Sequence, residues 1–274
     1  VEQFAQGIIR FAAVGLALPA WVQAGASAEL VLAGSGTNVL LTEVLVEAFM
    51  RGRPDSPFKV LPSIGSTGGI KGVHKGKIAL GLSSRPLRGL ESTWGLTTKP
   101  YARTVVVFAA NPSVPDDGLS TRDVVDIYSG KRSKWRDGGT IVVLVREEGD
   151  SGAELLIKHI DGFKGILENA WRSGMWRTEF RDGDCNRSLA KTKDAMGWSD
   201  LGSIQLGAHK VKTLSFNGVA PTADNMISGK YPLYKELSFV YQEPLAPPLV
   251  EFLAFVASPE GKRLIRESGY IPVP

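Results

Sequence analysis

The chain has 274 residues, of which 43% are hydrophobic and 22% charged, and its formal net charge is +4. These values are typical of a globular protein and exclude a disordered or fibrous chain. The basic residues are scattered and form no run of the kind that nucleic-acid-binding proteins often carry, so we expect no nucleic-acid partner. A single cysteine, Cys185, excludes an intramolecular disulfide and a cysteine-based metal site.

The first 28 residues have the pattern of a secretory signal peptide. Arg10 precedes the apolar stretch 11–22, and Ala26-Ser27-Ala28 forms an A-x-A cleavage pattern. The stretch contains Pro19 and is shorter than the ~20 residues that a spanning helix needs, which favours export over a membrane anchor or a first helix of the fold. Because no cysteine stands at the cleavage site to carry a lipid, we predict a soluble periplasmic protein that begins near Glu29.

From residue 29 onward, short β-rich runs alternate with helical patterns. Up to residue 111 the predicted strands are 30–33, 58–61, 78–82 and 104–110, and the predicted helices are 39–49 and 69–73. This alternation favours an α/β fold with a mostly parallel sheet. The run 104–110 is almost wholly apolar, as in a strand buried on both faces, and Asn111-Pro112 ends it.

A second set of elements follows residue 112. It comprises a helix over 120–128 capped by Ser120 or Thr121, a strand over 141–145, and a helix beginning near Ser151. Between 163 and 185, aromatic residues lie among charges without a clean period, and this stretch receives no assignment. The segment 249–267 has a helical apolar pattern with a break at Ser258-Pro259, and Pro259 fits the first turn of a second helix.

Four hydroxyl- and glycine-bearing segments each follow a predicted strand. They are 34–38 (GSGTN), 65–69 (GSTGG), 83–85 (SSR), and Arg146 with 149–152 (GDSG). The open end of a parallel sheet is where such folds bind ligands. Three of the segments also precede a helix, whose first N–H groups have no intrahelical partner and attract anions. We therefore predict that these hydroxyls and N–H groups converge on one small anion.

A larger set of motifs runs in order from this region to the C-terminus. It consists of 64–70 (IGSTGGI), 81–87 (GLSSRPL), 127–131 (IYSGK) with Trp135, Arg146 with Ser151-Gly152, 194–198 (DAMGW), 217–222 (NGVAPT), 228–232 (SGKYP) and 258–261 (SPEG). In this ordered set the chain resembles the substrate-binding proteins of phosphate ABC transporters, a branch of the type II periplasmic binding proteins. The resemblance implies two α/β lobes, each a mostly parallel sheet flanked by helices, joined by a hinge and closing on an oxyanion in the cleft between them. We place the first part of lobe 1 at 29–108, lobe 2 at 109–212, and the return hinge with the rest of lobe 1 at 213–274.

Carried over position by position, the resemblance implies a ligand-binding site built from both lobes. Lobe 1 would contribute Ser35, Gly36, Thr37, Asn38, Ser66, Thr67, Ser84 and Arg85, and lobe 2 would contribute Arg146, Ser151 and Gly152. Arg146 would supply a forked and permanently charged donor. For Arg85 a surface ion pair is an equally open alternative, and for Arg146 the alternative is a salt bridge to the two glutamates that follow it.

Two positions depart from the family pattern. The family usually has an Asp where Ser84 stands, and that carboxylate accepts the proton of hydrogen phosphate and repels fully ionised anions. Ala153 stands where a Thr often supplies a further hydroxyl. Selectivity between phosphate, another oxyanion and a phosphonate therefore stays open. Asp150 either replaces the lost acceptor or caps the helix at Ser151, and we favour the cap.

The predicted function is that of a periplasmic substrate-binding protein that captures phosphate, or a closely related tetrahedral oxyanion, and delivers it to the permease of an ABC transporter. We expect a monomer with no cofactor, no metal and no catalytic residue, since His74, His159 and His209 are far apart and lack partner motifs. Two alternatives stay open. One is a phosphate-releasing hydrolase that uses a cleft serine, although no serine has a His or Lys base in an identifiable motif. The other is a sensory or adhesive module that keeps the fold and has no oxyanion affinity.

Overall fold

The computed structural model of the protein describes residues 29–51, 53 and 58–274, and the predicted signal peptide lies outside these residues. The described residues form eleven strands and ten α-helices. The strands are β1 Leu30–Gly34, β2 Phe58–Val60, β3 Leu80–Ser83, β4 Thr97–Ala110, β5 Gly118–Leu119, β6 Val142–Arg146, β7 Arg177–Glu179, β8 Ala195–Asp200, β9 Lys212–Phe216, β10 Tyr234–Tyr241 and β11 Ile271–Pro272. The helices are α1 Gly36–Met50, α2 Gly65–His74, α3 Thr121–Tyr128, α4 Ser151–His159, α5 Phe163–Ser173, α6 Asp182–Lys191, α7 Leu201–Leu206, α8 Ala223–Ile227, α9 Pro247–Ala257 and α10 Pro259–Glu267.

The sheet has two parallel ends joined by two antiparallel strands. Its order is β2-β1-β3-β10-β4-β8-β6-β7. At one end β1 lies parallel to β2 and β3, and at the other β6 lies parallel to β7 and β8. Between these ends β10 is antiparallel to β3 and β4, and β4 is antiparallel to β8. The long strands β4 and β10 therefore connect two α/β halves.

Two large hydrophobic cores lie on either side of these connecting strands. One packs around Phe49, Leu82 and Phe252, and the other around Phe108 and Trp198. The chain passes from the first core to the second within β4, between residues 102 and 105, and returns between 233 and 237. We designate the two parts lobe 1 and lobe 2. The boundaries predicted at 108/109 and 212/213 remain predictions, since a hinge is defined by movement between two conformations.

Most of the predicted elements are confirmed, and their ends follow from local capping. Ser120 caps α3, because its Oγ accepts from the N–H of Asp123 at 3.1 Å. Ser258 caps α10 in the same way, with Pro259 in the first turn. The unassigned stretch 163–185 contains α5, β7 and the start of α6.

Candidate functional site

Four serine hydroxyls meet between the two lobes. Ser84 Oγ lies 2.7 Å from Ser35 Oγ, 3.5 Å from Ser66 Oγ and 2.7 Å from Ser151 Oγ. The N–H of Ser84 also donates to Ser66 Oγ at 3.2 Å. Ser35, Ser66 and Ser84 belong to lobe 1 and Ser151 to lobe 2, so this serine cluster spans the cleft.

Strand ends and helix starts place these four side chains together. Ser35 follows β1 and is the N-cap of α1, Ser84 follows β3, Ser66 is in the first turn of α2, and Ser151 is the first residue of α4. Because β1 and β3 are parallel, their carboxyl ends reach the same edge of the sheet. In the described residues the Ser35 side chain makes no capping bond to α1, and its hydroxyl bonds to Ser84 instead. The N-termini of three helices therefore converge on the cluster with their positive dipole ends.

Two glycines allow the close approaches that this convergence needs. A Cβ atom on Gly69 would lie 2.7 Å from the carbonyl oxygen of Ala33, so glycine lets α2 pack directly against β1. A Cβ on Gly152 would lie 2.9 Å from two atoms of the Trp198 indole, which fixes the first turn of α4 against that ring. Both contacts hold a helix N-terminus at the serine cluster.

Arg146 is a buried cation at the end of β6, and its exposed fraction is 4%. Its Nη2 donates to the carbonyl oxygen of Phe180 at 3.3 Å and to Asp182 Oδ2 at 3.4 Å, and it lies 3.7 Å from Asp150 Oδ2. Among the described residues, Nε and Nη1 of Arg146 are buried and have no hydrogen-bond partner. Burial alone would lower the pKa of Arg146, but the carboxylates of Asp182 and Asp150 raise it above its ordinary value. A charged group with two unsatisfied buried donors is suited to bind an anion.

Lys235 is a second buried cation that the sequence analysis did not find. It lies on β10 opposite Thr104 of β4, is 6% exposed, and its Nζ donates to Thr37 Oγ1 at 3.1 Å. Burial would raise the pKa of Asp150, but the charges of Lys235 and Arg146 hold it below its ordinary value. The junction of the lobes thus combines two cations with a nearby ionised carboxylate.

Asp150 caps α4, as the sequence predicts. Its Oδ1 accepts from the N–H of Ala153 at 2.9 Å and from the indole N–H of Trp198 at 3.1 Å. These bonds orient the first turn of α4, where Ser151 and Gly152 present the hydroxyl and backbone groups predicted for the ligand.

Three of the predicted site residues make bonds within lobe 1. Arg85 donates from Nη1 and Nη2 to the two carboxylate oxygens of Glu91, at 2.7 and 2.8 Å, and from Nη2 to Thr67 Oγ1 at 2.8 Å. The hydrogen bond from Arg85 lowers the pKa of Glu91. Asn38 donates from Nδ2 to the carbonyl oxygen of Ser83 at 3.3 Å. Arg85 therefore forms an ion pair that is buried rather than exposed, and ligand contacts by Arg85, Thr67 and Asn38 stay predictions.

A cavity of about 630 Å³ borders the serine cluster at Ser84 and Ser151, and Lys235 also lines it. At its rim Arg88 of lobe 1 forms an ion pair with Glu154 of lobe 2. Within residues 29–51, 53 and 58–274, no three His, Cys, Asp or Glu side chains are grouped to hold a metal ion. No helix in that part of the chain is long and apolar enough to cross a bilayer.

A family model described as a PBP superfamily domain matches residues 22–260. The chain belongs to the PBP superfamily. The phosphate-binding protein PstS of Bacillus subtilis (strain 168) is 28% identical to this PBP superfamily member over 261 residues, which cover 90% of this chain and 82% of that protein.

Solved structures resemble this PBP superfamily member over most of its length. A putative phosphate ABC transporter substrate-binding protein with bound phosphate from Clostridium perfringens superposes with a TM-score of 0.80 at 24% identity, over 90% of this chain and all (100%) of that one. An ABC-type phosphate transport receptor from Vibrio cholerae gives a TM-score of 0.64 at 23% identity over the same shares, 90% and 100%. These matches confirm the two-lobed α/β fold and the family resemblance predicted from the sequence motifs.

Proposed function

We propose that this protein is a periplasmic substrate-binding protein that captures inorganic phosphate, or a closely related tetrahedral oxyanion, between its lobes and delivers it to the permease of an ABC transporter. The observation that carries this proposal is the Arg146 guanidinium, which is buried beside the cleft with two donor nitrogens, Nε and Nη1, unpaired among the described residues. Relatives support phosphate as the ligand, since one is named a phosphate-binding protein and a similar structure holds phosphate.

The donors at the cleft suit a small, multiply charged and tetrahedral ligand. The hydroxyls of the serine cluster, the first N–H groups of α1 and α4 and the Arg146 guanidinium come from separate elements of both lobes. Ser84 and Ser151 bond to each other at 2.7 Å, so an anion that enters between the lobes replaces this bond with bonds to itself. Burial of the ligand between the lobes strengthens every such bond because the local dielectric is low.

The same groups favour binding without turnover. The four hydroxyls of the cluster bond to one another and to the N–H of Ser84, and in the described part of the chain no imidazole or amine bonds to any of them. His159 lines the adjacent cavity, but its Nδ1 lies 2.9 Å from the carbonyl oxygen of Leu155. A serine nucleophile needs an adjacent base, so we propose a receptor, acting as a monomer, in preference to a hydrolase.

Calorimetric titration of ligand-stripped protein with phosphate, arsenate, sulfate and methylphosphonate tests this function. We expect saturable binding of one phosphate per chain that is tighter than sulfate binding. Phosphate binding that fails to exceed sulfate binding at every pH would overturn the phosphate assignment, and the absence of any oxyanion binding would favour a sensory or adhesive module. A parallel assay with p-nitrophenyl phosphate, with Ser84→Ala as control, should show no serine-dependent release of nitrophenol.

A further inference from the structure

One carboxylate of lobe 2 reaches the first helix of lobe 1. Asp182 is the first residue of α6, and a Cβ atom placed on Gly36 at the start of α1 would lie 2.0 Å from its Oδ2. The same oxygen lies 3.4 Å from Nη2 of Arg146. Asp182 therefore stands between two of the groups that would hold an anion, the N-terminus of α1 and the Arg146 guanidinium.

Asp182 has hydrogen-bonding capacity that the neighbouring carboxylates lack. Asp150 and Asp200 are helix caps, and each accepts from a backbone N–H of its own helix, at 2.9 Å in both cases, and from side chains as well. Among the described residues, Asp182 accepts only the single long bond from Arg146. An ionised carboxylate has about four lone-pair sites, so most of the acceptor capacity of Asp182 is unused although its side chain is only 13% exposed.

A carboxylate with free acceptor sites beside an anion site discriminates between anions that carry a proton and anions that do not. Hydrogen phosphate carries a P–O–H group that can donate to a carboxylate through a short, charge-assisted bond. Sulfate carries no such proton near neutral pH, and its oxygens repel the carboxylate. The four side chains of the serine cluster are hydroxyls, so a carboxylate that accepts this proton has to come from another element beside the site.

We infer that Asp182 is a specificity-determining residue, which accepts the proton of hydrogen phosphate and excludes fully ionised anions such as sulfate. This inference rests on the proposed function. The acceptor thus comes from lobe 2, on the side of the cleft opposite Ser84. In the structure α6 already lies against the start of α1, so Asp182 is in position to contact an anion held there.

The test compares the dissociation constants of phosphate and sulfate, measured by calorimetry at one pH and ionic strength, in wild type, Asp182→Asn and Asp184→Asn. Asp184 is the matched control, because it lies in the same first turn of α6, has a side chain 40% exposed and pairs with Arg187. We expect Asp182→Asn to weaken phosphate binding and tighten sulfate binding, lowering the preference for phosphate by about 10- to 150-fold, the factor that one hydrogen bond to a charged group contributes. Asp184→Asn should leave that preference within about twofold of wild type, as expected for an exposed pair.

A structural role for Asp182 predicts a different result, because loss of packing would shift both affinities in the same direction. If wild type prefers phosphate and Asp182→Asn keeps that preference, the inference is overturned while the proposed function stands. If wild type binds no phosphate, the proposed function itself fails. Should Asp182→Asn not fold, Asp182→Ser gives the same comparison with a smaller side chain.

Discussion

Replacing Arg146 by lysine keeps a positive charge at the cleft and removes the planar fork. In the native protein Nη2 is bonded to Phe180 and Asp182, while Nε and Nη1 are buried without a partner among the described residues. A lysine ammonium presents its three donors from one atom. The carbonyl oxygen of Phe180 and the carboxylate of Asp182, which accept from Nη2 in the native protein, compete for these donors. We therefore expect Arg146→Lys to lose at least one of the two bonds available to the anion.

One hydrogen bond to a charged group contributes about 1.5–3 kcal/mol, which corresponds to a loss of phosphate affinity of about 10- to 150-fold. Arg146→Ala should weaken binding further, because it removes both bonds and the charge. Calorimetric titration at constant ionic strength measures these losses, since salt screens the attraction between charges.

Arg122→Lys on α3 is the control, because the Arg122 side chain is 91% exposed. Its phosphate affinity should stay within about twofold of wild type, as the small contribution of exposed pairs predicts. Urea denaturation of Arg146→Lys shows whether the variant is folded at the temperature of the titration. Affinities within experimental error of wild type for both Arg146 variants would remove Arg146 from the site and refute the reasoning.

Three further predictions concern the groups around the site. Glu91→Gln leaves the Arg85 guanidinium buried without its carboxylate. The free energy of unfolding in urea should therefore fall by about 3–5 kcal/mol, with little change in phosphate affinity. Loss of phosphate affinity at unchanged stability would instead show that Arg85 acts on the ligand. Burial raises the pKa of Asp200 to about 6, above the value of about 3.9 in an unfolded chain. The stability that this group contributes is therefore present below about pH 4 and is lost as the pH rises through about 6. Asp200→Asn keeps a capping side chain, and its melting temperature should rise relative to wild type between those pH values, whereas a constant difference would contradict the shift. Glu154→Gln breaks the partly exposed pair with Arg88 across the cleft, and its effect on phosphate affinity should stay below about fivefold and disappear at high salt; a larger, salt-independent loss would show that Glu154 has another role.

The serine cluster could be predicted from the sequence because each of its members has a local signal. Ser35 and Ser84 directly follow short apolar strands, Ser66 lies among glycines at a helix start, and Ser151 follows a capping Asp. The rule that parallel strands bring their carboxyl ends to one edge then places these segments together. The presence of α1 and β1 and the break before α10 follow from equally local patterns, although α1 begins at Gly36, three residues before its predicted start.

Lys235 and Asp182 could not be predicted, because their positions depend on contacts between distant parts of the chain. Lys235 is one residue of an ordinary strand, and the pairing of β10 with β4 brings it to Thr37. Asp182 lies in the stretch whose aromatic residues obscure the helical period. Trp171 in that stretch donates its indole N–H to the carbonyl oxygen of Arg146 at 2.8 Å, a tertiary contact that no local pattern reveals.

Tertiary pairing also explains the extent of β4. The apolar run predicts a strand over 104–110, whereas β4 begins at Thr97. Lys99 and Pro100 are exposed and are poor strand formers, yet β10 pairs with this part of the chain along its whole length. For Arg85 the sequence left two roles open, since its partner Glu91 lies six residues away in a short 3₁₀ helix and matches no helical pairing distance.

A crystal structure of the phosphate complex tests the central claim most directly. The account predicts one phosphate between the lobes, with hydroxyls of Ser66 and Ser84 on one side and Ser151 and the Nε and Nη1 groups of Arg146 on the other. The direct bond between Ser84 and Ser151, 2.7 Å in the present structure, should be replaced by bonds to the anion. A phosphate bound elsewhere, with the serine cluster intact, would contradict the account.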